Sequence, residues 1–248
     1  MAAEKVVLVF GGSGTIGSGI IKALLKSGKV PRIVSVARTS EKLAAMKDKF
    51  GNLPEDKLLI VEGNVASEEN AAKLRDDILA KTGKITDVVS CMGSWWQKGP
   101  LLDQPLSEFK EVCDSLLGCH FIAAKTFLPL IGDNDGSSYT FITGSENYLY
   151  VPNIGLLSIF AAGLVRMIHF IMQEWEQKSV RINAIHINVF VQDPLNTLPY
   201  SDPNSPAIDH EVAGRGISGV VLIPNARGKK LPIYSEADFV KLAKTGTL

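Results

Sequence analysis

The 248-residue chain is 46% hydrophobic and 21% charged, enough apolar material for one sizeable core, and α/β domains of this size are commonly single. Its 26 basic and 26 acidic residues cancel, so no long-range field draws it toward nucleic acid or an anionic membrane, and a small-molecule partner fits better. Three unevenly spaced cysteines, Cys91, Cys113 and Cys119, give neither a disulfide framework nor a metal-ligand pattern and suit a reducing cytoplasm.

The amino terminus, MAAEK, precedes a short apolar run, VVLVF, that meets glycine at once; this is a strand rather than a signal sequence. From there strand-like and helical patterns alternate: KVVLVF, SGIIKALLKSG, RIVSVA, SEKLAAMKDKF, KLLIVEGNV, ENAAKLRDDILAKTG and DVVSCMG. Strands separated by about ten to fifteen helical residues imply right-handed crossovers and a parallel sheet. The alternation continues through LSEFKEVCDSLLGCHFIAAKTFLPLI, SSYTFITGS, GLLSIFAAGLVRM and VRINAIHINVFV. The expected fold is α/β, a Rossmann-type doubly wound parallel sheet with helices on both faces, with residues 1–248 forming one domain. Residues 192–209 hold four prolines among Asn, Asp and Ser and predict a long irregular lid loop. Residues 154–165 carry no charge, yet Arg166 ends the run short of the roughly 18 to 20 residues that cross a bilayer, so a buried helix is expected over 154–170.

The first strand runs into GGSGTIG. Gly12, Gly14 and Gly17 satisfy G-x-G-x-x-G between a strand and a helix, the context in which backbone approaches a pyrophosphate and a helix amino end stabilises it. Gly11, Gly12, Ser13, Gly14, Thr15, Ile16 and Gly17 are the expected cradle. At the end of the second strand a dinucleotide site usually carries Asp or Glu, but here stand Ala37 and Arg38. A guanidinium grips a 2′-phosphate that a carboxylate would repel, and Thr39 or Ser40 adds hydroxyl donors, so NADP(H) is favoured over NAD(H).

This order of parts resembles the short-chain dehydrogenase/reductase family over nearly the whole chain. VFGGSGTIG is similar to its glycine-rich turn, although the Gly11, Gly14, Gly17 spacing is nearer the family's extended and atypical branches. Gly63-Asn64-Val65 is similar to the Asp-hydrophobic pair beside the adenine, with Asn64 in the Asp position. Cys91-Met92-Gly93 falls where the family has Asn-Ala-Gly, and RINAI at Arg181 to Ile185 matches the segment leading into the sixth strand. The resemblance adds Asn64, Val65, Cys91, Gly93 and Asn188 to the cofactor set and implies a homodimer or homotetramer.

It also exposes a loss. The family reduces carbonyls with a Tyr, a Lys four residues on, a Ser, and an Asn in the preceding long helix. Aligning the apolar segment puts Leu156 and Phe160 in the Tyr and Lys places; a shift of one residue puts Leu157 and Ala161 there. Ser115 stands in the Asn place, the Ser place falls within Thr143, Gly144 and Ser145, and Ile187 and Asn188 replace the Pro-Gly after the sixth strand.

A general acid is typically worth about 10²- to 10⁴-fold, and Leu or Phe cannot supply it. Tyr148 and Tyr150, with Ser145 or Thr143 as hydrogen-bond partners, are candidates for a displaced acid, though each also reads as a loop-packing tyrosine. His186 reads as a core histidine. Trp95 and Trp96 follow the fourth strand at the carboxyl edge of the sheet and offer aromatic surface to a substrate; on an extended segment one can face the pocket while its neighbour packs inward. Three readings stay open. The first is an NADP(H)-binding oxidoreductase acting on a small apolar or aromatic substrate with a nonstandard or absent proton donor. The second is a non-redox catalyst of cyclisation or isomerisation on the same scaffold. The third is a catalytically inactive NADP(H)-binding regulator.

Overall fold

The computed structural model describes residues 4–51, 53–144, 152–193 and 207–248. Its Val- and Ile-rich runs form strands β1 (Val6–Phe10), β2 (Arg32–Ala37), β3 (Leu58–Glu62), β4 (Asp87–Ser90), β5 (Ser138–Gly144), β6 (Arg181–Ile187) and β9 (Lys230–Ile233). They make one seven-stranded sheet in the order β3-β2-β1-β4-β5-β6-β9, parallel throughout. The expected α/β sheet is therefore observed. β1, β4 and β5 carry almost no exposed surface, as strands covered on both faces must.

The helices divide between the two faces. On one, α3 (Glu68–Thr82), α5 (Cys119–Ile131) and α6 (Gly155–Glu174) cover Leu8, Phe10, Val88, Phe141 and Ala184. On the other, α1 (Thr15–Ser27), α2 (Ser40–Phe50), α7 (His210–Leu222) and α8 (Glu236–Thr245) cover Val7, Val9, Val89, Ile142 and Ile185. Adjacent strand residues thus feed opposite layers, as the two-residue strand period requires. The strand order reverses between β1 and β4, and at such a switch point an open sheet binds ligands beyond its carboxyl edge.

Residues 106–131 and α6 are each long and apolar enough, by length and composition, to cross a membrane. Here both pack in the helical layers. α6 is apolar because it has two buried sides: Leu164 and Ile168 meet the sheet, while Leu156 and Phe160 meet α4 (Leu106–Cys113) and Trp96. The segment from 106 to 131 is not one regular helix. A π-helical turn, Asp114–Gly118, joins α4 to α5.

Beyond β6 the chain forms β7 (Val191–Gln192), and β8 (Ile208–Asp209) pairs with it in parallel. Both ends of the expected 192–209 excursion are therefore ordered strands; residues 194–206 lie outside the described residues. Lys49 clamps Asp193 at 2.9 Å beside the nearly fully buried His210, which ties this pair to α2 and α7.

Candidate functional site

β1 delivers the chain into a turn that only glycines can make. Gly11 has φ +74°, and a Cβ there would lie 1.8 Å from the Cys91 carbonyl oxygen. A Cβ on Gly17 would lie 2.1 Å from the Gly11 carbonyl oxygen, and one on Gly12 would lie 2.1 Å from Ser35 Oγ. Gly14 is different: its N–H donates to Gly11 at 2.9 Å, and a Cβ there would meet only the Gly11 oxygen, at 3.3 Å. The first-turn N–H groups of a helix lack intrahelical acceptors. Those of α1, at Thr15, Ile16 and Gly17, have neither a capping side chain nor an acidic residue in the first turn. With Ser13 and Gly14 exposed beside them, this amino end fits a pyrophosphate.

At the end of β2, Arg38 is exposed and makes no ion pair among the described residues, so its guanidinium is available to a phosphate. Thr39 caps α2 by accepting the Lys42 N–H at 3.3 Å. Its hydroxyl also holds the neighbouring Glu41 carboxyl below the ordinary range. Asn64 is already engaged as an acceptor: its Oδ1 takes the Ala66 N–H at 3.0 Å and the Asn70 amide at 3.0 Å. Its own amide can donate to a ring nitrogen, but it does not replace the acceptor strength of the family's Asp. The side chain of Val65 belongs to the core, so only its backbone can face an adenine.

In the middle of the edge, burial pushes the Cys91 thiol up to about 12, so it stays protonated at neutral pH. Gly93 has φ +111°, and a Cβ there would strike Leu116 at 2.6 Å. A residue the sequence reading passed over holds this stretch. His120 of α5 is fully buried, with Nδ1 2.7 Å from Ser90 Oγ and Nε2 3.2 Å from the Met92 carbonyl oxygen. Nε2–H donates to the carbonyl and Nδ1 accepts from the serine hydroxyl. The one signal in the sequence was a lone imidazole within an apolar helical run.

Burial lowers the His120 pKa to about 4. Because the folded pKa lies below the unfolded value of about 6.5, the stability contributed by the neutral ring is complete above pH 6.5 and disappears as pH falls toward 4, an effect of about 3 kcal/mol. Urea unfolding at pH 7 and pH 4.5 should show that loss in the natural protein and a much smaller one in His120→Gln. Equal pH dependence in the two proteins would remove His120 from this account.

Ser115 lies in the π-helical turn and donates to the Val112 carbonyl at 3.3 Å, a bond within its own helix. π turns often accompany functional sites. Leu156 and Phe160 are buried with Trp96, Val112, Ile154 and Leu157, and Phe160 meets Phe109 edge-on at 4.9 Å. Phe160 therefore faces α4. The stripe through Leu157 and Ala161 continues to Leu164 and Ile168, which pack on the sheet. By helical spacing Leu157 and Ala161 share that stripe, although Leu157 also packs in the cluster with Phe160 and Trp96. Both registers are apolar.

Ser145, Tyr148 and Tyr150 lie outside the described residues. Thr143 and His186 are register partners at the carboxyl ends of β5 and β6, buried on the α6 face, and Thr143 donates to the Gly144 carbonyl at 3.2 Å. The Asn188 amide donates to the His186 carbonyl at 3.0 Å, which fixes its side chain against the strand end. Among the described residues, no group of three or more His, Cys, Asp or Glu converges on a metal position.

The two tryptophans divide as adjacent extended residues do. Trp96 is buried, and its indole N–H donates to Glu108, which also takes Lys98 at 2.6 Å. Lys98 first and Trp96 second hold the Glu108 carboxyl below the usual range. Trp95 is half-buried and lies 5.8 Å from Phe190, a residue the sequence reading did not single out.

A family model described as short chain dehydrogenase matches residues 5–196. The 3-phenylpropionate-dihydrodiol/cinnamic acid-dihydrodiol dehydrogenases of Shigella sonnei and Escherichia coli are 22% identical over 192 residues, 73% of this chain. The match spans 66% of those relatives' own length, just under two thirds. Among solved structures, a short-chain dehydrogenase/reductase from Serratia marcescens superposes with a TM-score of 0.78 at 16% identity, covering 92% of this chain and 96% of that one. A short chain dehydrogenase from Burkholderia cenocepacia in complex with NADP gives 0.79 at 15% identity, with 92% and 96% covered. At these identities the structural likeness speaks to the fold, while the family model covers most of the chain; together with the glycine turn after β1 and the switch point beside it, they make this protein a member of the short-chain dehydrogenase family.

Proposed function

We propose that the protein is an NADP(H)-dependent oxidoreductase of a small apolar or aromatic substrate, with its proton chemistry supplied from outside α6. The observation that carries this reading is the uncapped amino end of α1 next to an exposed Arg38 at the end of β2. α1 would hold the pyrophosphate through its free N–H groups, Arg38 would hold the 2′-phosphate, and Asn64 would donate to the adenine ring. The nicotinamide, when bound, accepts or supplies hydride. The chain's own part is to orient that ring against the carboxyl ends of β4 and β5 and to exclude water with Leu157 and Ala161. Neither side chain can move a proton. The similarity to dihydrodiol dehydrogenases makes oxidation of a dihydrodiol the first reaction to test, and the NADP complex of the Burkholderia structure is consistent with the cofactor.

The same apolar α6 favours a second reading, in which the nucleotide is structural and the step is non-redox, or in which the protein binds NADP(H) as a regulator. Turnover without a change in nicotinamide absorbance supports the first of these alternatives, and binding without turnover supports the second. The exposed Leu102, Leu106, Phe109, Phe121, Ile159 and Phe170 on and beside α4, α5 and α6 support a homo-oligomer. Cys91, Cys113 and Cys119 are all free, in keeping with a reducing cytoplasm.

Calorimetry with the two nucleotides tests the cofactor assignment. A charge-assisted contact from Arg38 is worth about 1.5 to 3 kcal/mol, so NADP⁺ should bind about 10- to 100-fold more tightly than NAD⁺, and Arg38→Asp should abolish the preference. Equal affinities in the natural protein would overturn it.

A further inference from the structure

We infer that His120 is a positioning residue: its imidazole aims the Gly93 N–H at the ligand edge of the sheet, where that donor meets an oxygen of the nicotinamide half of NADP(H). The inference rests on the NADP(H) reading above. His120 Nε2 lies 3.2 Å from the Met92 carbonyl oxygen, which can only accept, so Nε2 carries the proton. Nδ1, 2.7 Å from Ser90 Oγ, then takes the serine hydroxyl and fixes that tautomer. Phe141, the register partner of Ser90, stands 6.3 Å from the imidazole and keeps its surroundings apolar.

The carbonyl of Met92 and the N–H of Gly93 share one trans peptide and point in opposite directions. Holding the carbonyl toward α5 therefore turns the N–H away from α5. Gly93 is exposed, and its N–H makes no hydrogen bond among the described residues. The same peptide is gripped a second time by Leu116, four residues before His120, whose Cδ2 would lie 2.6 Å from a Cβ on Gly93. Leu116 belongs to the π-helical turn and His120 follows it directly, so this irregular turn presents two side chains to one peptide. The donor's place selects its acceptor. A Cβ on Gly11 would lie 1.8 Å from the Cys91 carbonyl oxygen, so the glycine turn and the segment leading to Gly93 are in direct contact. Arg38 follows β2 and Asn64 follows β3, on one side of β1, whereas β4 lies on the other. With adenosine over β2 and β3 and the pyrophosphate at α1, the half of the dinucleotide nearest Gly93 is the one beyond the pyrophosphate. Its ribose hydroxyls and carboxamide carry acceptor oxygens.

The test is calorimetric titration of NADP⁺, and of adenosine 2′,5′-bisphosphate, which lacks the nicotinamide half, into the natural protein, His120→Asn and His120→Gln. An Asn amide reaches the Nδ1 position and keeps the Ser90 contact; a Gln amide reaches the Nε2 position and can donate to Met92. His120→Asn should bind NADP⁺ about tenfold more weakly and the bisphosphate within about twofold of the natural protein, while His120→Gln stays within about threefold on both. A purely structural histidine would weaken both ligands together, because a loosened strand end disturbs the neighbouring glycine turn as well. Leu116→Ala, which relaxes the second grip and leaves His120 in place, should show the same selectivity with a loss of about threefold, and it decides the matter if His120→Asn does not fold. Equal losses on the two ligands, or no loss on either, overturn the inference while the cofactor reading stands. A natural protein that binds neither ligand overturns both.

Discussion

Phe160→Lys should lower the unfolding free energy by about 3 to 5 kcal/mol, and NADP⁺ should not restore it. Phe160 is 5% exposed, packed with Leu156, Trp96 and Val112 and set edge-on to Phe109. An ammonium there loses the ring's contacts and its own hydration together, and a buried unpaired lysine escapes only by shedding its proton or finding a carboxylate. One carboxylate on that side, Glu108, is already shared by Trp96 and Lys98, so recruiting it breaks the anchor of the segment after β4. Ala161→Lys gives the contrasting case. Position 161 shares its helical stripe with Leu164 and Ile168 on the sheet side, so in that register its ammonium would be the one to reach the hydroxyls of a bound ribose. Urea unfolding of both variants, with and without saturating nucleotide, separates them. The natural protein gains a fixed increment from ligand binding. Ala161→Lys should gain more than that increment, and Phe160→Lys should gain no more. A larger gain at 160 than at 161 would restore the register in which Leu156 and Phe160 stand for Tyr and Lys.

That ambiguity shows where the sequence runs out. Periodicity assigns the layers correctly because Val7 and Leu8, or Ala184 and Ile185, feed opposite faces of a covered sheet, and a strand's period leaves no freedom in the matter. The glycine turn was legible for the same reason: Gly11 and Gly17 are required by backbone contacts that no side chain fits. In α6, however, Leu156 and Leu157 are both apolar and both buried, so a one-residue slip changes the facing by about 100° without changing the pattern. The contact of Phe160 with Phe109, together with the helical spacing to Leu164 and Ile168, distinguishes them. His120 was missed because its partners, Ser90 and the Met92 carbonyl, lie on another element. Phe190 was missed because its partner Trp95 is joined to it only by the strand order. The π turn at Asp114–Gly118 has no composition signature, since DSLLG reads as ordinary helix.

Gly17→Ala is expected to lower NADP⁺ affinity by about 100-fold or more and to destabilise the fold as well. The added Cβ would lie 2.1 Å from the Gly11 oxygen, 2.7 Å from the Gly11 carbonyl carbon and 2.9 Å from Gly12 Cα. All three are backbone atoms of the turn, so no rotamer change relieves the clash and the first turn of α1 must move away from β1. Gly11 cannot follow it, because its own Cα is pressed against the Cys91 carbonyl and its φ of +74° is open to few residues besides glycine. A shift of about 1 Å at that helix end misaligns the N–H groups that would hold a pyrophosphate, and displacements of this size have large effects on bound geometry. Gly14→Ala isolates the ligand's share of the loss. Its Cβ meets only the Gly11 oxygen at 3.3 Å, so stability should change by less than about 1 kcal/mol, and any drop in nucleotide affinity then reports how closely the ligand approaches the backbone. The measurements are urea unfolding and calorimetry on both variants. If Gly17→Ala loses stability alone, and both variants bind NADP⁺ as the natural protein does, the glycines serve packing between β1, β4 and α1, and the dinucleotide must be sought elsewhere on the sheet edge.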